Sequence, residues 1–114
     1  MLAGCAAAPT RLSQPGVFKV EASGQVKPAD AQAATDCIMD GFDESSSMLS
    51  AITVRQQRRV GAYRVEALNG AILLASADVH DTGKIELSVA SQSTVMINMD
   101  KQRAAVSSCI EKFR

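Results

Sequence analysis

This chain carries no excess charge of either sign. Twelve lysines and arginines stand against 12 acidic residues, so no long-range field draws in nucleic acid or an anionic bilayer. No stretch approaches the roughly 20 consecutive apolar residues of a transmembrane helix, and any membrane attachment has to come from another device. Histidine occurs once, at His80, and there is no Cys-x-x-Cys pair. Gly-x-Ser-x-Gly, Ser-x-x-Lys and a glycine-rich phosphate loop with its lysine are absent as well. The familiar machinery of thiol redox, serine hydrolysis and nucleotide binding is therefore missing, and the sequence assigns no catalytic residue, no cofactor and no metal set.

What the chain does contain is ordinary for a water-folded domain: 46% hydrophobic and 21% charged residues. At 114 residues it fits one domain with a modest core, a size at which a covalent staple is a common supplement.

The amino terminus reads Leu2-Ala3-Gly4-Cys5, followed by Ala6-Ala7-Ala8-Pro9. This string resembles the lipobox of bacterial lipoprotein precursors, small uncharacterised proteobacterial lipoproteins among them. The resemblance implies cleavage before Cys5, a diacylglycerol on its sulfur, and residues 1–4 as the remnant of a signal peptide. Ala6, in place of Asp, resembles the default for sorting to the outer membrane, facing the periplasm, over retention at the inner membrane. Several acyl chains, at about 0.8 kcal/mol per buried methylene, anchor a protein without a transmembrane helix. The other reading is an Ala/Gly-rich, unordered tail. Residues 5–16 hold two of the three prolines together with Ser, Thr and Gln, a composition that suits a tether. The domain is expected over residues 17–114.

Pro28 suits the first turn of a helix and Asp30 its positive end. Ala34, Cys37, Ile38, Gly41 and Phe42 then recur at three-and-four spacing, which points Cys37 inward. Near the carboxyl terminus, Asn98 or Asp100 offers a cap for a second stripe of Met99, Val106, Cys109, Ile110 and Phe113. With Cys5 acylated, the odd cysteine count resolves into one anchor and a Cys37–Cys109 bridge, in an envelope compartment oxidising enough to keep it. A loop of 72 residues between them would stabilise by roughly 4 kcal/mol in the chain-entropy model. The alternative is a reduced pair serving as small hydrophobes.

Between the helices lie alternating strands. Val17 to Ala22 is a short edge-strand candidate ending at Ser23-Gly24. The run from Ile52 and Val54 breaks at Gln56 to Arg59, and Tyr63, Val65 and Ala67 lead to Asn69-Gly70 as a two-residue turn. That turn opposes Ala67 with Ile72 and Val65 with Leu74. Asp81-Thr82-Gly83, as a three-residue loop, opposes Val79 with Ile85 and Ala77 with Leu87, on the other face from Leu74. Either a bulge near Ser76 reconciles the two registers or one turn length is wrong. The expected architecture is a two-layer α+β domain: a four-stranded antiparallel meander with an N-terminal and a C-terminal helix on one face, joined by the disulfide.

Asp81-Thr82-Gly83 resembles the catalytic triplet of aspartic proteases. It departs from that pattern in the flanking His80 and Lys84 and in lacking the second apolar-Gly element, and it reads better as a turn. Asp78, His80 and Asp81 form a thin set for a metal. Arg55, Arg58 and Arg59 make the one basic cluster, suited to an anionic headgroup, glycan or protein partner, with a solvated hairpin tip as the plainer reading. The expected function is that of a non-catalytic envelope module bound to the membrane through lipid on Cys5, with an unidentified envelope protein or surface ligand as partner and no nucleic acid. A periplasmic small-ligand carrier or sensor, using the space between sheet and helices, is the alternative.

Overall fold

The computed structural model describes residues 18–46, 52–70, 72–90 and 99–114. Cys5, residues 1–4, the 5–16 tether, Val17 and the Asn98 cap candidate lie outside the described residues. The elements run β1 (Phe18–Gln25), a 3-10 turn (Pro28–Asp30), α1 (Ala31–Ser46), β2 (Ile52–Arg59), β3 (Ala62–Asn69), β4 (Ile72–His80), β5 (Lys84–Ala90) and α2 (Asp100–Phe113). The sheet is antiparallel throughout, in the order β1-β5-β4-β3-β2. The α+β class is as expected, but the described strands number five, not four.

The added strand is the short edge candidate. It does not stop at Ser23-Gly24 but continues to Gln25 and pairs with β5. A register shift between Val20 and Ala22 interrupts its alternation, which hides the strand from a pattern reading. Gly24 does not end the strand; it admits α2, because a Cβ at this position would stand 2.7 Å from Ile110 Cγ2.

Both helices cover one face of the sheet. Ala34, Ile38 and Phe42 from α1 and Val106, Cys109 and Ile110 from α2 share one buried cluster with Val65, Ala77, Val79, Ile85, Leu87 and Val89. The alternation of those strand residues aims them toward the helices. Cys37 and Cys109 are disulfide-bonded with their Cα atoms 5.9 Å apart, closing a separation of 72 residues.

The two expected registers fared differently. Asp81-Thr82-Gly83 is the three-residue loop, with Gly83 at φ +93° and its N–H donating to His80 O at 2.8 Å. Val79 pairs with Ile85 and Ala77 with Leu87 as the loop length demands. The Asn69-Gly70 turn is displaced by one residue. Asn69 has no positive φ and pairs with Ile72, so Asn69 belongs to the strand and not to the turn, and Gly70 takes the left-handed conformation at φ +61°. The pairing then shifts from Leu68–Leu73 to Ala67–Ala75, which makes Leu74 the extra residue. The bulge that reconciles the registers therefore lies at Leu74 and not near Ser76. It keeps Leu74 in the helix-facing core while Leu73 pairs with Leu68 on the other face.

The sheet has two distinguishable ends. Chain entry at Phe18, the β3–β4 turn, the end of β5 and the start of α2 lie at the proximal end. The β2–β3 and β4–β5 turns and the start of α1 lie at the opposite, turn end. That end is laced by Asp81 N–H to Gly61 O (2.9 Å), Val26 N–H to Gly83 O (2.9 Å) and Lys27 N–H to Phe113 O (3.2 Å).

Candidate functional site

Beyond the buried Leu68–Leu73 pair at its proximal end, the face of the sheet turned away from the helices is largely polar. Cross-strand registers lay out three rows on it: Arg55–Glu66–Ser76–Ser88, then Gln57–Arg64–Asp78–Glu86, then Arg59–Ala62–His80 at the turn end. Residues of one row come from successive strands, so each row gathers side chains that are far apart in the chain.

In the first row Glu66 is fully buried. Its Oε1 accepts from Arg55 Nε at 2.6 Å and from Gln57 Nε2 at 3.0 Å, while Oε2 and the facing Ser76 Oγ have no hydrogen-bond partner among the described residues. In the second row Arg64 donates Nε to Asp78 Oδ1 at 2.7 Å and Nη2 to Oδ2 at 3.3 Å, a two-pronged pair. In the third row the small Ala62 lies between Arg59 and His80 and leaves room above the sheet. The result is an open groove of about 540 Å³ lined by Gln57, Arg58, Arg59, Arg64, Asp78 and His80, with Val60 and Ala62 as its apolar parts.

The cluster Arg55, Arg58 and Arg59 thus does not act as one patch. Arg55 is committed to Glu66. Arg58 forms a two-pronged pair with Asp81, at 2.8 and 2.9 Å, and lies 4.5 Å from the ring centre of Tyr63, its cross-strand partner. Arg59 makes only a long hydrogen bond, 3.4 Å, to Gln57 Oε1 and faces no carboxylate among the described residues. The expected break at Gln56–Arg59 is a correction too: this segment is strand, and the tip is Val60-Gly61, with the Val60 side chain fully exposed. Sequence reasoning missed Arg64. Only the register that sets it between Gln57 and Asp78 brings it to the groove; the signal available was its alternation with Val65, which assigns it to the outer face.

The metal candidates are dispersed among ion pairs. Asp78 pairs with Arg64 and Asp81 with Arg58, while His80 Nε2 lies 3.8 Å from Glu86 Oε1. Among the described residues no three His, Cys, Asp or Glu side chains gather around a common point. Asp81 is half-exposed at the turn, and the Arg58 guanidinium that hydrogen-bonds it holds its carboxyl below the usual range. The space between sheet and helices, where a carrier would hold its ligand, is filled by side chains such as Phe42, Ile38, Leu74, Ile85, Leu87 and Met99. No described helix is long and apolar enough to cross a membrane.

Compared with protein-family models, curated proteins and solved structures, the chain finds no match.

Proposed function

We propose that this chain is a non-catalytic, lipid-anchored protein of the bacterial cell envelope, facing the periplasm from the outer membrane, that binds a protein or ligand through the turn end of its sheet. The observation that carries the reading is the division of its three cysteines. Cys37 and Cys109 are bonded to each other, which leaves Cys5 as the odd one, within the lipobox-like Leu2-Ala3-Gly4-Cys5. A disulfide is at home in an exported protein, and acylation accounts for a cysteine without a partner in the pair.

The topology adds an orientation. Chain entry at Phe18 and the Arg59 groove lie at opposite ends of the sheet. Strands of 8 residues at about 3.3 Å each separate those ends by roughly 25 Å. A protein held by Cys5 would carry its proximal end toward the lipid and present the groove to the compartment beyond, which favours a partner there over the headgroups of its own membrane.

The test is intact mass of the protein expressed from its native gene and extracted from the envelope. The expected product begins at Cys5, carries the added mass of its acyl groups and lacks two hydrogens for the disulfide. A cytosolic product with three free thiols overturns the reading.

A further inference from the structure

We infer that the groove at the turn end, with the free edge of β2 beside it, binds an extended acidic segment of another protein, one of whose carboxylates is taken by Arg59. The inference deepens the binding role proposed above and rests on it for location, but its chemistry depends only on described residues.

Two guanidiniums, those of Arg59 and Arg64, and the Asp78 carboxylate face the groove, while Arg58 lies on the other face of β2 over Tyr63. Asp78 neutralises Arg64 and Asp81, at the rim, neutralises Arg58. Arg59 is left as the uncompensated charge, which matches a single-charge group. A planar guanidinium fork fits the two oxygens of a carboxylate. The ion-paired Arg64 keeps a donor in reserve: it uses Nε and Nη2 on Asp78, which leaves Nη1 without a partner among the described residues.

The backbone says what kind of molecule would bring that carboxylate. β2 is an outer strand of the sheet, so one side of Ile52–Arg59 lacks a strand partner among the described residues. An extended peptide added there takes main-chain hydrogen bonds from the edge and sends alternate side chains onto the face that carries Arg55, Gln57 and Arg59. The exposed Val60 at the tip and the methyl of Ala62 offer apolar contact next to the charge. A second copy of the chain paired through β2 is the wrong occupant, because Ile52–Arg59 holds three arginines and no carboxylate that could meet Arg59. An acidic glycan supplies carboxylates but no backbone to continue the sheet.

The experiment is a titration of the full chain, oxidised but unacylated, followed by backbone amide resonances. The probes are acetyl-Thr-Glu-Val-Glu-Thr-amide, the same peptide with both glutamates replaced by glutamine, and glucuronate. The acidic peptide should shift amides along Ile52–Arg59 and around Ala62. Arg59→Gln, or the glutamine peptide, should weaken binding about tenfold or more, the worth of one two-pronged charged contact, while Arg59→Lys should retain part of it. Among the described residues the side chain of Arg59 has only its long hydrogen bond to Gln57 to lose, and unchanged amide dispersion will show that the variant folds. Equal binding to Arg59→Gln, shifts that avoid β2, glucuronate binding as tightly as the peptide, or self-association of the free chain would each overturn the inference. Because no lipid is involved, failure here leaves the anchor reading standing, and failure of the mass measurement leaves this one standing.

Discussion

Gly41 of α1 faces Ala105 of α2 at a distance that excludes any side chain: a Cβ on residue 41 would stand 2.7 Å from Ala105 Cβ. Each residue is one helical turn from a cysteine of the Cys37–Cys109 bridge, so the helices are held covalently at one turn and touch through small residues at the next. Overpacking a close contact costs about 1–3 kcal/mol. Gly41→Val is therefore expected to destabilise by that amount in urea unfolding, and adding Ala105→Gly should recover part of the loss. A Gly41→Val protein as stable as the parent would show that the helices separate freely here.

The disulfide closes a separation of 72 residues, for which the chain-entropy model gives roughly 4 kcal/mol. Thermal unfolding with and without reductant should show a large downward shift on reduction. The double variant Cys37→Ala/Cys109→Ala should match the reduced protein and no longer respond to reductant. If the oxidised and reduced proteins melt together, the bridge contributes nothing to stability and its role is elsewhere.

Local chemistry made part of this fold legible. The three-and-four stripes found both helices because the buried face of each is mainly apolar, with Thr35 and Gln102 as its polar members, and Gly83 found its turn because the loop length left a position for positive φ. The β3–β4 turn was misplaced by one residue because Asn69 and Gly70 each tolerate that conformation, and the choice was made by burial of Leu74, a tertiary effect. β1 was half seen: its bulge and Gly24 answer to α2 and Ile110, which no window around residue 24 contains. For the site, sequence adjacency grouped Arg55, Arg58 and Arg59, yet what separates them is the charge opposite each. Glu66 and Asp81 were distant in sequence, and only the strand register revealed that Arg59 is the one without a carboxylate.

The fully buried Glu66 is expected to make Arg55 a structural residue. Removing one partner of a buried ion pair leaves the other charge desolvated, at about 3–5 kcal/mol; Arg55→Ala should cost about 3 kcal/mol, the bottom of that range, because Arg55 is itself partly exposed and Gln57 continues to donate to Glu66 Oε1. Arg55→Ala combined with Glu66→Leu should regain most of the loss, since neither charge then remains. Denaturant midpoints of the single and double variants check this. A double variant no more stable than Arg55→Ala would mean that the arginine acts through packing, not through its charge.

The Arg58–Asp81 pair should show itself in pH dependence. Hydrogen bonding to the Arg58 guanidinium lowers the pKa of Asp81 in the folded protein from its ordinary value of 3.8. A depressed carboxyl means that the folded state prefers the ionised form, so the unfolded chain binds the proton first as pH falls. The contribution of the pair is therefore fully present above about pH 5, shrinks once the pH drops below the unfolded value, and is gone when the folded carboxyl is itself protonated. Asp81→Asn lacks the charge at every pH. The stability difference between parent and Asp81→Asn should be constant from pH 7 to pH 5 and close steadily below pH 4, with the carboxyl resonance of Asp81 titrating later than that of an exposed aspartate. The pair is solvent-exposed, at 50% and 52% for the two side chains, so the difference should also shrink with added salt at neutral pH. A gap that stays the same down to pH 2 would assign the effect of the substitution to the geometry of the turn and not to the ion pair.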